Sequence, residues 1–116
     1  MNETSNRAAE RTTQPAVTVI NVFTPKAERF DAFVEEQHAG LPSFRGKVPG
    51  LIASRFYGSV DSRTAVLMSV WETQGDFEAF RKSELFAAHR DRLSPLLERA
   101  DPGVYHLVYQ NGSLGF

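Results

Sequence analysis

Cysteine is absent from this chain. That removes disulfides, thiolate nucleophiles and thiolate metal sites together. An excess of charge is missing too: 13 Lys and Arg stand against 14 Asp and Glu, a net charge of −1. A nucleic-acid binder carries a basic footprint, so no nucleic-acid partner is expected. There is no apolar run of about 18 residues, so no membrane span is expected either. The chain lacks a G-x-G-x-x-G or P-loop string, which removes the common phosphate cradles. No two histidines stand at H-x-x-x-H spacing and no nucleophile-elbow serine is present. A dedicated metal site and serine-hydrolase chemistry are therefore not expected.

What is present is a compact apolar inventory. Nine phenylalanines bring the aromatics to 11% of 116 residues, which fits one domain with a packed core. So many apolar side chains exceed what one small chain readily covers, which points to a homodimer. Residues 1–15 are polar and lack the apolar centre of a signal peptide. They are expected to be a disordered tail on a cytoplasmic protein. Residues 16–110 are expected to form the domain, and 111–116 a C-terminal tail.

Val17 to Phe23 is rich in β-branched residues and reads as a strand. Thr24 followed by Pro25 predicts a helix start. Ala27, Phe30, Phe33, Val34, Gln37, Leu41 and Phe44 then recur at steps of three and four, one stripe of an amphipathic helix. Gly40 and Pro42 should weaken or kink its last turns. Leu51–Val60 and Thr64–Trp71 predict a hairpin joined through Asp61-Ser62-Arg63. Thr73 with Asp76 resembles a capping box, so a helix begins near Gln74. Ser83 can cap a second helical piece carrying Leu85, Phe86, His89, Leu93, Leu96 and Leu97, with Pro95 kinking or ending it. Asp101-Pro102-Gly103 is expected to turn, and Val104 to Gln110 to be the last strand. The order β-α-β-β-α-β predicts an α+β, ferredoxin-like fold: an antiparallel four-stranded sheet with helices on one face. The strands are apolar on both faces, so a second copy is the expected cover for the bare side.

Val19-Ile20-Asn21-Val22-Phe23, Val48-Pro49-Gly50-Leu51, Ser69-Val70-Trp71-Glu72-Thr73, Phe77-Glu78-Ala79-Phe80 and Ser83-Glu84-Leu85-Phe86-Ala87-Ala88-His89 resemble the antibiotic biosynthesis monooxygenase family. The resemblance covers roughly Ala16 to Gln110. It implies the dimeric α/β-barrel form of the ferredoxin-like fold. It also implies oxidation of a polyketide-type phenol or quinol by O2 without metal or flavin. A related branch degrades haem, so haem is the alternative cofactor and His89 would be its axial ligand. Leu67 stands where polyketide oxygenases of the family often have a second asparagine. Phe80 stands where quinol oxygenases often carry histidine and the haem-degrading branch carries tryptophan.

The candidate site residues follow from type and position. Asn21 shares a strand face with Val17, Val19 and Phe23, so its amide points into apolar surroundings. It is expected to donate to a substrate oxygen or oxyanion. His89 shares a helix face with Leu85 and Leu93 and is the candidate general base. Trp71 is expected to wall a flat aromatic substrate and offer one N–H donor. Phe80 and Phe86 should extend that wall. Arg55 and Tyr57 share one face of the second strand and could hold a carboxylate or phenolate. His38 and His106 read as structural, and Arg90, Asp91, Arg92, Glu98 and Arg99 as a solvated helix face. A non-enzymatic dimeric binding module is the remaining alternative, because function lives in sites and not in folds.

Overall fold

A computed structural model describes residues 15–113 and 115. The expected N-terminal tail therefore lies almost entirely outside the described residues. The chain runs β1 (Val17–Pro25), α1 (Phe30–Gly40), a 3-10 turn (Leu41–Phe44), β2 (Leu51–Gly58) and β3 (Ala65–Trp71). It continues through α2 (Gln74–Arg81), α3 (Glu84–Leu93), a second 3-10 turn (Ser94–Leu96) and β4 (Leu97–Tyr105). The strands form one antiparallel sheet in the order β2-β3-β1-β4. This is the ferredoxin-like arrangement, with the second crossover split into α2 and α3. Among the described residues no helix is long and apolar enough to cross a membrane.

Local chemistry places α2 and α3. The Thr73 hydroxyl accepts from the Asp76 backbone N–H at 3.1 Å and donates to Asp76 Oδ2 at 2.9 Å. The Ser83 hydroxyl accepts from Phe86 N–H at 3.1 Å. Each side chain satisfies a donor that the first helical turn leaves unpaired. The helix α3 ends at Leu93, ahead of Pro95, and α1 gives way at Gly40 to the 3-10 turn that contains Pro42.

Two boundaries differ from expectation. Thr24 and Pro25 do not start a helix: β1 continues through Pro25, which pairs with Leu97 across a register shift. Pairing of β1 with β3 stops at Phe23, so Pro25 lies past that ladder, where its missing N–H is tolerated. The chain then turns through Glu28 in the left-handed region (φ 65°), and α1 starts at Phe30 without a side-chain cap. The last strand also starts earlier than its composition predicts. Asp101, Pro102 and Gly103 lie inside β4, opposite Val22, Asn21 and Ile20. An edge strand accepts proline because one side of its ladder is open. His106 to Gln110 fall beyond the strand. The opposite edge strand, β2, carries a register shift between Leu51 and Ala53.

Alternation along the strands gives the sheet two faces. On the helix side, Val17, Val19, Trp71 and Phe77 form one buried cluster. Phe23, Phe33, Ala65 and Leu93 form another. Asn21 falls between Val19 and Phe23, at the gap between the clusters. On the other face Ile20, Val22, Val66, Met68 and Val70 are half-buried.

Candidate functional site

The gap between the two clusters is a cavity of about 480 Å³ between the sheet and the helices. Its floor is Val19, Asn21 and Phe23 of β1 with Leu67, Ser69 and Trp71 of β3. Gln37, Leu41 and Phe44 close it from α1 and the turn that follows. Phe77 and Phe80 enter from α2, and Phe86, His89 and Leu93 from α3. Arg81, Arg90, Glu98 and Arg99 line it as well, and all four are exposed, so they mark its mouth.

The walls are a continuous set of aromatic contacts. Trp71 and Phe80 are tilted 37° with centroids 5.4 Å apart. Phe80 meets Phe44 at 5.5 Å and Phe86 at 5.3 Å, both edge to face. The His89 ring stands edge to face on Phe44 at 4.8 Å. Such contacts fix ring orientation beyond what area burial alone would do. The result is a slot with flat, apolar sides.

Few polar groups face this slot. The Trp71 indole N–H is already spent, donating to Ser69 Oγ at 2.9 Å. His89 is buried between two partners. Arg92 Nη2 lies 3.3 Å from His89 Nδ1, and Gln37 Oε1 lies 3.0 Å from His89 Nε2. An arginine can only donate, so Nδ1 accepts and the Nε2–H donates to Gln37. Burial, assisted by the Arg92 charge, lowers the His89 pKa from 6.5 to about 4. The ring is thus neutral near pH 7 with both nitrogens engaged. Gly40 leaves it room: a Cβ there would fall 2.7 Å from both Cε1 and Nδ1. Among the described residues, the buried side-chain atoms without a partner are Asn21 Oδ1 and Gln37 Nε2. Both residues line the cavity.

The structure brings together Asn21, Trp71, Phe80, Phe86 and His89 around one space. Arg55 and Tyr57 stand apart from it. They pair with Met68 and Val66, which puts them on the opposite face of the sheet. Residue 115 lies near Arg55: a Cβ on Gly115 would be 3.6 Å from its guanidinium. The bulge before Ala53 leaves Ser54 as the polar side chain that β2 contributes to the cavity. The expected basic role of His89 changes as well, because no lone pair of the ring is left to take a substrate proton. Haem ligation meets the same obstacle, since iron needs one of those nitrogens; the residues do not fit that group. Among the described residues, no group of three or more His, Asp or Glu side chains is disposed to hold a metal ion. Gln37 is the side chain that sequence reasoning passed over. Its signal was an amide inside the apolar stripe of α1.

A family model described as antibiotic biosynthesis monooxygenase matches residues 16–92. No curated protein is a significant match. Among solved structures, the chain is similar to SnoaB, a cofactor-independent oxygenase from Streptomyces nogalater. Identity is 20% and the TM-score 0.70, over 82% of this chain and 95% of that one. It is also similar to a candidate antibiotic biosynthesis monooxygenase from Nitrosomonas europaea, at 21% identity and TM-score 0.71, over 86% and 97% of the two chains. A further candidate of that kind, from Bordetella bronchiseptica, matches at 18% identity and TM-score 0.74, over 83% and 100%. At these identities the likeness speaks for the fold. The family model covers β1 through most of α3, segments that build much of the cavity's floor and walls, and the chain belongs to the antibiotic biosynthesis monooxygenase family.

Proposed function

We propose that this protein is a cofactor-independent monooxygenase that oxidises a flat, hydroxylated aromatic molecule of polyketide type with O2, working as a homodimer. One observation carries the reading: a cavity of about 480 Å³ walled by Trp71, Phe80, Phe86 and Phe44 with the Asn21 amide at its floor. A site of this size, apolar with a few placed polar groups, suits a small aromatic ligand. The family membership and the cofactor-independent relative support the reaction type.

In this proposal the aromatic walls hold the substrate flat and exclude water. Asn21 Oδ1 accepts from a ring hydroxyl. A second ring oxygen or the activated carbon has lost its proton to bulk water, and this electron-rich anion is the reductant, so neither metal nor flavin enters the balance. For a substrate with an activated ring methylene, both C–H bonds of that carbon break and a C=O bond forms. One oxygen atom of O2 becomes the carbonyl oxygen, and the other leaves as water with the two hydrogens. The carbon is oxidised by four electrons and O2 is fully reduced, so the step balances without a further reductant. Holding the reactants together in an apolar slot that excludes water supplies the acceleration. His89 acts by orienting its neighbours and not as the base.

The test is O2 consumption in an oxygen electrode with hydroxyanthrones and naphthols. Uptake matched by a ketone or quinone product is expected. Asn21→Ala should slow turnover by about 100-fold, the cost of a misplaced substrate. Binding of these compounds with no O2 uptake would instead support a non-enzymatic binding module. The engaged nitrogens of His89 favour that second reading, since they leave the cavity wall without a basic imidazole.

A further inference from the structure

The cavity contains a donor whose direction is dictated by its neighbours. Gln37 is 1% exposed and sits on α1 facing the sheet. Arg92 donates to His89 Nδ1, so His89 carries its proton on Nε2, and the atom Gln37 turns toward it must be the carbonyl oxygen. The Gln37 amide nitrogen is what remains. It is buried and has no partner. Leaving a buried donor unmet is costly, so a native site that keeps one calls for an explanation. The chain from Arg92 through His89 to Gln37 also polarises each bond in turn. It carries part of the Arg92 charge toward an apolar cavity without placing a cation inside it.

We propose that Gln37 is the donor that recognises an anionic or carbonyl oxygen on the aromatic ligand, with His89 and Arg92 as positioning residues that lock its amide. Asn21 Oδ1, the other unpartnered atom, takes a hydroxyl of the same ligand. The preferred ligand class therefore carries both an acceptor oxygen and a hydroxyl on one flat ring system. This inference rests on the aromatic-ligand reading of the cavity, and its test separates the two.

The probes are 4-nitrophenol, whose anion absorbs visible light, and nitrobenzene, which lacks the hydroxyl. Trp71 is the single tryptophan and lines the cavity, so its fluorescence reports occupancy. The wild-type protein should bind 4-nitrophenolate more tightly than nitrobenzene, and the bound phenol should ionise at lower pH than the free one. Gln37→Met should weaken 4-nitrophenolate by about 10- to 100-fold, the span of one hydrogen bond to a charged group, while nitrobenzene binds as before. Gln37→Glu keeps an acceptor for His89 and should reject the anion even more strongly. Arg92→Leu, at an exposed position of α3, needs no core rearrangement and should move the ionisation midpoint of the bound probe back toward that of free 4-nitrophenol. A merely structural Arg92 would leave that midpoint unmoved. If Gln37→Met or Gln37→Glu folds and keeps the wild-type preference, or Arg92→Leu keeps the wild-type midpoint, the inference is overturned. If nitrobenzene binds the wild type as tightly as 4-nitrophenolate, the cavity reading stands and the Gln37 donor falls. If neither compound quenches Trp71, the aromatic cavity reading falls and takes the inference with it.

Discussion

At the scale of single residues, His89 has the most to say. Its pKa is pulled from 6.5 down to about 4 by burial and then by Arg92. The sign follows from proton binding. Between about pH 6.5 and 4 the unfolded chain takes up a proton that the folded chain refuses, so stability falls as the pH drops through that window. Below about 4 the folded ring protonates too and the loss levels off. Moving from pH 7 to about 5 should cost roughly 2 kcal/mol from this group. Denaturant titrations at the two pH values should show that loss, and His89→Gln should flatten it. An unchanged pH dependence in the variant would mean that the ring is not held neutral. Asn21, Trp71 and His89 were legible in the sequence because each interrupts or ends an apolar pattern. The wiring of His89 was not, since Arg92 reads as one more charge on a solvated helix face and Gln37 lies 52 residues away.

At the scale of elements, the helix caps and the sheet were readable, and the ends of the strands that pair across the sheet were not. Thr73 and Ser83 announce α2 and α3 because a cap involves only the next three residues. Pro25 and Pro102 misled because proline forbids a ladder bond only where a neighbouring strand is present to receive it. The cap of α2 has a consequence for the cavity, since that helix carries Phe77 and Phe80 into the wall. Thr73→Ala should destabilise the fold by about 1 kcal/mol, the usual worth of an N-cap. Because Thr73 is buried and also donates to Asp76, the loss should not fall below that figure. Thermal or chemical unfolding measures it; no loss at all would mean that packing alone sets the start of α2.

For the molecule as a whole, the sheet has helices on one side and the half-buried Ile20, Val22, Val66, Met68 and Val70 on the other. Past β4, Leu107, Val108 and Tyr109 are exposed at 70%, 90% and 81%. Apolar surface of this kind is suited to association, and members of the family are typically dimeric. Light scattering at micromolar concentration should give about 26 kDa, twice the 13.0 kDa chain; a stable 13.0 kDa species would remove the dimer. The family was legible from short strings that lie in β1, at the start of β2, at the end of β3 and in α2 and α3. The ligand was not, because the cavity draws its lining from all four strands and all three helices. The two outer strands add a constraint of another kind. Pro102 deletes a donor from the rim of β4, and the bulge between Leu51 and Ala53 breaks the regular spacing of β2. Both rims are therefore poor templates for a further strand. Copies that met rim to rim would build an open ribbon with no end, the geometry of fibrils. Blunted on both sides, the sheet is protected from that fate even while it carries enough apolar surface to be sticky, and a concentrated solution of this protein should resist amyloid-type growth.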